Sequence, residues 1–172
     1  MIRIATMADI PVLHALVEAA FRGDSARGGW THEADLLDGQ RTDPAALAEA
    51  IADPDKVILI AERDGEAIGC VQVGRVTAGL STLGLLAVRP TRQAGGLGRT
   101  LVAAAEAHAR DVHRSSRMEM TVIAARRELI AWYERQGYRA TGEVRPFPVE
   151  NRRFGLPRVD TLSFVVLERG IA

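Results

Sequence analysis

The residues with the most specific chemistry in this chain are Gln93-Ala94-Gly95-Gly96-Leu97-Gly98, followed by Arg99. They stand between an apolar stretch that ends in Leu85-Leu86-Ala87-Val88 and an alanine-rich stretch with helical periodicity. A helix that starts directly from a glycine turn offers an anion its unpaired N–H groups and the positive end of its macrodipole. Gly96 and Gly98 leave room for a phosphate against the backbone. Two rival phosphate loops can be tested on the same residues. A Walker A loop needs Gly at position 93 and Lys at position 99, where this chain has Gln93 and Arg99. A dinucleotide fingerprint read from Gly96 and Gly98 needs Gly or Ala at position 101, which is Leu101. Both fail. On the loop alone, a helix that simply begins in a glycine turn remains a competing reading.

A second group of reactive side chains lies between Arg22 and Thr42, where Trp30, His32, Glu33 and Asp35 put an aromatic, a titratable ring and carboxylates on a short connector broken by Gly28 and Gly29. Trp30, His32 and Glu33 are candidates for substrate contact because loops carry function disproportionately. The competing reading is a solvated helix capped by Thr31, with Trp30 packed as a lid on the core. His14, beside an apolar helical stripe, reads as a partly buried structural histidine, and the single Cys70 as a small buried residue. One cysteine excludes an internal disulfide and a cysteine metal cluster, and no metal site is expected.

The elements that position these residues follow from periodicity. Ile2 to Thr6 alternates as a strand. Asp9 can cap a helix carrying Pro11 in its first turn, with Ile10, Leu13, Val17 and Phe21 on one face. Thr42-Asp43-Pro44 starts a helix over Ala45–Ala52. Val57–Ala61 and Ala67–Val73 form a hairpin through Asp64-Gly65. Leu80–Val88 is a third strand, feeding the glycine loop and a helix from Gly98 to about His113. Met118–Ile123, a helix over Arg126–Gln136, a strand over Tyr138–Val144, a loop from Pro146 to Arg158 and a strand over Val159–Leu167 complete the chain. Only the crossover from Leu80–Val88 to Met118–Ile123 reads as parallel.

A chain of 172 residues with 47% hydrophobic content is sized for one well-buried core, so a single domain over 1–172 is expected. Its 22 basic and 22 acidic residues give zero formal net charge, which removes the electrostatic case for a nucleic-acid partner. No apolar run approaches the ~20 residues of a membrane span and no signal-peptide pattern opens the chain, so the expectation is a cytoplasmic protein without a membrane partner.

The Q/R-x-x-G-x-G/A spacing of Gln93 to Gly98 resembles the acyl-CoA pyrophosphate loop of the GCN5-related N-acetyltransferases. A second segment, Leu129-Ile130-Ala131-Trp132-Tyr133-Glu134-Arg135-Gln136-Gly137-Tyr138, is similar to that family's aromatic-Tyr-Glu-x-x-Gly-[Phe/Tyr] motif. The order of elements matches along the whole chain. The resemblance implies an α/β (α+β) fold: a mixed, mostly antiparallel sheet of about seven strands flanked by helices, with a splayed pair of strands forming the acyl-CoA cleft. It implies acetyl-CoA as co-substrate. Leu86, Ala87 and Val88 would hydrogen-bond the pantetheine arm, and Gln93, Ala94, Gly95, Gly96, Leu97, Gly98 and Arg99 would hold the pyrophosphate. An acidic mouth would take the amine of a small molecule or peptide, and Tyr133 would be the general acid. Arg126 stands where family members often carry Asn, and is counted with the cofactor-binding residues. Gln93 replaces a commoner arginine, with Arg92 or Arg99 available to supply the charge.

Chemistry asks for the same parts. Attack of an amine on a thioester needs a neutral nucleophile, a polarised carbonyl and a proton for the departing thiolate. The strand Ser81 to Val88 holds no carboxylate or histidine. Glu33 is the candidate base, with His32, Glu119 or a water chain as alternatives. A non-catalytic acyl-CoA-binding module and an acyl-CoA thioesterase stay open, as do the acceptor's identity and the choice between monomer and homodimer.

Overall fold

A computed structural model of the chain describes residues 1–22, 34, 37–38, 40–147, 155–158 and 162–172. The elements run β1 (Ile2–Ile4), a 3-10 turn (Met7–Asp9), α1 (Ile10–Phe21), β2 (Leu37–Asp38), α2 (Pro44–Ala52), β3 (Lys56–Arg63), β4 (Glu66–Thr77), β5 (Leu80–Val88), a 3-10 turn (Pro90–Arg92), α3 (Leu97–Asp111), β6 (Arg117–Ile123), α4 (Arg127–Arg135), β7 (Arg139–Pro146), β8 (Leu156–Pro157) and β9 (Ser163–Gly170).

Local chemistry sets several of these boundaries. Asp64 and Gly65 both take positive φ, 53° and 78°, which is the turn that matches the twist of the β3–β4 hairpin. Asp43 accepts a hydrogen bond from the Ala46 N–H at 2.7 Å and Pro44 follows it, so α2 starts where expected. Asp9 departs from expectation. Its carboxylate accepts from the Thr6 N–H at 2.7 Å and pairs with Arg3 instead of capping α1. Those bonds, Arg3 first, hold its carboxyl well below the usual carboxylate range.

The main sheet has seven strands in the order β1-β3-β4-β5-β6-β9-β7, and every described pairing is antiparallel except β5–β6. A separate pair, β2 with β8, joins two distant loops; the sequence reading did not include it. Alternate residues of the central strands face opposite layers. Leu59, Val71, Met120 and Leu167 pack with Leu101, Ala105, Tyr133 and Tyr138 on the α3–α4 face. Ile58, Ile60, Cys70 and Ala87 pack with Leu13, Leu16, Val17 and Leu47 on the α1–α2 face.

Two irregularities in β5 make the site. Its parallel ladder with β6 contains only Leu80, Ser81 and Thr82, opposite Arg117, Met118 and Glu119. Beyond Thr82 the two strands separate. Against β4, Cys70 pairs with Ala87 but Gln72 with Gly84, so β5 carries an extra residue. Leu85 absorbs it with φ 48°, an uncommon conformation for a branched side chain. Cys70 is buried, its thiol is pushed up to about 12 by desolvation, and it donates to the Leu85 carbonyl at 3.6 Å.

Candidate functional site

The parting of β5 from β6 opens a cleft of ≈ 640 Å³ that reaches both faces of the sheet. On the α3–α4 face its wall includes Leu129, Trp132 and Tyr133, and on the α1–α2 face Phe21, Arg22, Arg41, Phe147 and Phe164. Between them run Leu83 to Val88 of β5 and Met120 to Ile123 of β6.

The glycine loop closes one end. Ala94 and Gly96 take positive φ, 72° and 78°, so the chain turns back on itself before α3. The first helical amide to find an acceptor is that of Thr100, on Gly96 O at 3.2 Å. The amides of Leu97, Gly98 and Arg99 have no carbonyl partner among the described residues, and they face an end of the cleft lined also by Arg92 and Arg99. Unpaired amides, a helix dipole and two guanidiniums fit a pyrophosphate. Gln93 lines the cleft while its Nε2 donates to the Val88 carbonyl at 3.3 Å, tying the loop to the end of β5. Gly95 lies in the turn but not in the cleft wall.

Leu86, Ala87 and Val88 line the cleft beside the missing β6 partner, so an extended amide-bearing chain can lie along this edge as another strand would. Gly98 is pressed against the far side of the cleft. A Cβ there would meet Trp132 Cζ2 at 3.2 Å, so the indole locks α4 onto the first turn of α3. Trp132 packs edge-on against Tyr133 at 4.9 Å, and Tyr133 packs edge-on against Tyr138 at 5.9 Å.

The two tyrosines are in different chemical situations. Tyr138 is fully buried and its hydroxyl donates to Glu106 Oε1 at 2.8 Å, while Arg169 Nη1 bonds both Glu106 oxygens at 3.0 Å. Tyr133 lines the cleft with 5% of its surface exposed, and its hydroxyl makes no hydrogen bond among the described residues. Burial raises its phenol above the ordinary range, opposed by the positive charge of Arg126, which also lines the cleft. Tyr133 therefore stays protonated at neutral pH, with a donor to spare on the cleft side.

Trp30, His32 and Glu33 lie outside the described residues, as does most of the 146–158 loop. Glu119, the alternative base, is held by Arg145 at 3.4 Å and does not line the cleft. Every charged side chain that the described residues bring to the cleft is an arginine, and the expected acidic mouth, with Glu33, falls on residues outside those described. Sequence reasoning missed Phe21, Arg22, Arg41 and Phe164, while Phe147 belongs to the Pro146–Arg158 loop that it places beside the acceptor. Phe21 was read as core, and the rest sit at element ends, where periodicity gives no direction. His14 is half-buried and Cys70 buried, as their surroundings in the sequence imply.

A family model described as Acetyltransferase (GNAT) family matches residues 16–138. No curated protein sequence matches the chain. Among solved structures, the ribosomal-protein-alanine N-acetyltransferase of Brucella melitensis aligns with a TM-score of 0.72 at 23% identity, over 99% of this chain and 99% of that one. The protein yncA of Salmonella typhimurium, solved with its cofactor acetyl-CoA, aligns with a TM-score of 0.71 at 19% identity, over 100% of this chain and 94% of that one. A mutant form of the spermidine N-acetyltransferase SpeG of Vibrio cholerae gives 0.69 at 14% identity, over 99% and 95%. At these identities the likeness establishes a shared fold.

Proposed function

Because the chain belongs to the acetyltransferase (GNAT) family, we propose that it moves the acetyl group of acetyl-CoA to a primary amine by direct attack, with Tyr133 as general acid. The observation that carries this reading is the cleft through the parted strands. It has phosphate-binding features at one end, an unpaired strand edge along its side and a protonated phenol in its wall.

On this reading the amides of Ala94 to Arg99 hold the pyrophosphate, and Leu86 to Val88 align the pantetheine arm so that the thioester lies near Tyr133. The amine enters from the α1–α2 face. Its nitrogen forms a bond to the acetyl carbon, the carbon–sulfur bond breaks, and the Tyr133 O–H gives its proton to the leaving sulfur. The proton released by the amine passes to a base or to water and restores the phenol. Glu33 remains our candidate for that base, with Trp30 and His32 beside the acceptor. Arg126, close enough to pull on the phenol, favours the negative charge that builds during carbon–sulfur cleavage.

The test is acetyl-CoA consumption across a panel of amines, with mass spectrometry of the products. An acetylated amine formed in step with free CoA is expected. Free CoA without an acetylated amine would make the protein a thioesterase, and binding without turnover would make it an acyl-CoA-binding module.

A further inference from the structure

One side chain on the α3–α4 side of the cleft touches both the glycine loop's helix and Tyr133. Trp132 is half-buried in the cleft wall. The outer edge of its indole, Cζ2 and Cη2, lies 3.2 and 3.4 Å from where a Cβ on Gly98 would stand, closer than ordinary van der Waals contact. Gly98 is the second residue of α3, and its N–H is one of the amides without a carbonyl partner among the described residues. The same indole packs edge-on with Tyr133, centroid to centroid 4.9 Å. Because the Tyr133 hydroxyl has no hydrogen-bond partner among the described residues, the rings around it set its position. One is Tyr138, fully buried, at 5.9 Å. The other is Trp132, whose own place depends on Gly98.

Close packing passes a displacement at one contact to the next. Helical amides that lack a protein acceptor hold their turn less firmly than bonded ones, and a pyrophosphate that accepts from them fixes the turn on which the indole rests. We propose that Trp132 is a positioning residue that couples the phosphate end of the cleft to the general acid: with pyrophosphate bound, Gly98 holds the indole and the indole holds the Tyr133 phenol toward the leaving sulfur. The proposal rests on the transfer reaction and the role of Tyr133 given above. Its consequence is that part of the interaction with the nucleotide half of CoA appears in the rate of the chemical step and not in affinity. A thioester without the phosphates is turned over slowly even when bound.

The experiment compares single-turnover transfer to one accepted amine from acetyl-CoA and from S-acetylpantetheine, which keeps the thioester arm and lacks the phosphates, each at saturation. The wild type should transfer faster from acetyl-CoA by about 10- to 100-fold, the scale on which a misplacement of about 1 Å acts. Trp132→Phe keeps a ring beside Tyr133 and withdraws the edge that reaches Gly98. It should slow acetyl-CoA by most of that factor and acetylpantetheine by about twofold or less, bringing the two donors together. Tyr133→Phe should shrink the difference between donors in the same way, and adding Trp132→Phe to it should slow acetyl-CoA little further. Equal wild-type rates from the two donors would overturn the coupling without recourse to any variant. Equal slowing of both donors by Trp132→Phe would make the indole a packing residue only, and full additivity with Tyr133→Phe would place its effect elsewhere than on the phenol; either overturns the proposal and leaves acetyl transfer intact. Acetyl-CoA binding with no transfer to any amine would instead overturn the transfer reading, and the coupling with it.

Discussion

At the scale of single residues, Tyr133, the proposed general acid, and Tyr138, five positions on, differ in what their hydroxyls bond. Both are buried and both phenols are raised, but among the described residues only Tyr138 has a partner for its hydroxyl. Tyr133→Phe removes a donor that nothing in the described fold uses, so stability and acetyl-CoA affinity should hold. Single-turnover acetyl transfer should fall by roughly 10²- to 10⁴-fold, the usual range for one proton-transfer group. Single-turnover rates are the proper readout, because slow product release would mask the loss in kcat. Since the phenol is raised above its ordinary 10, its donor form persists as pH rises, and no alkaline decline below pH 10 should trace to Tyr133. Wild-type transfer by a folded Tyr133→Phe protein would make this ring a core aromatic. Tyr138→Phe should behave in the opposite way. It strips the Glu106 carboxylate of a buried donor and should lower urea stability by about 1.5–3 kcal/mol, with single-turnover chemistry unchanged. The motif around Tyr133 was legible in the sequence, but the lack of a hydroxyl partner among the described residues was not. The helical stripe of Leu129, Ile130 and Tyr133 points toward the sheet whether the ring is core or catalyst.

At the scale of elements, the cleft depends on how closely α3 lies on the sheet, and Gly69 of β4 sets that distance. A Cβ on Gly69 would stand 2.9 Å from Leu101 Cδ1, 3.0 Å from the Ala87 carbonyl and 3.2 Å from Leu97 Cδ2. One contact is strand backbone and two are side chains from the first turns of α3. Gly69→Ala must therefore lift the helix start or push β5, and overpacking of this kind costs about 1–3 kcal/mol. Because Leu97 opens the helix whose amides face the proposed phosphate end, the same variant should weaken acetyl-CoA binding several-fold by calorimetry. Loss of stability with unchanged affinity would show that the loop moves independently of the sheet. The glycine loop and its helix were legible because turn residues and helical periodicity meet there. The bulge at Leu85 went unread, although Gly84, an isolated glycine inside the Leu80–Val88 strand, stands directly before it and is the kind of residue that marks one. The β2–β8 pair is too short to have a period. Asp9 was read as a cap on local grounds, yet Arg3, across the first turn of chain, claims its carboxylate.

For the whole molecule, the sheet is two blocks, β1-β3-β4-β5 and β6-β9-β7, joined edge to edge by the short parallel ladder at Leu80–Thr82. The insertion of β9 between β6 and β7 could not be read from the chain, because that pairing links strands with no short connection. The joint itself is tied by a polar knot. Buried Ser81 bonds the Ser115 hydroxyl at 2.8 Å and His113 Nδ1 at 3.0 Å, and His113 packs edge-on against His108 at 4.9 Å. Burial lowers both imidazoles below their ordinary 6.5. The neighbouring His113 adds to the shift at His108, while at His113 Arg75 adds to it and Asp55 opposes it. A histidine whose folded pKa is lowered binds its proton more readily when unfolded, so its contribution to stability is complete above pH 6.5. That contribution is lost as pH falls through 6.5 toward the lowered folded value. The carboxylates that the fold holds low, Asp9, Asp53 and Glu143, weaken it only at more acid pH, so the histidine window stands apart. Urea midpoints should fall between pH 7.5 and 5.5 in the wild type, and the fall should be much shallower in His108→Gln/His113→Gln. Hydrogen exchange should place the weakening at Leu80–Thr82, since a charged His113 strains the knot that holds this ladder. An equal decline in the double variant would remove the histidines from the joint's acid sensitivity.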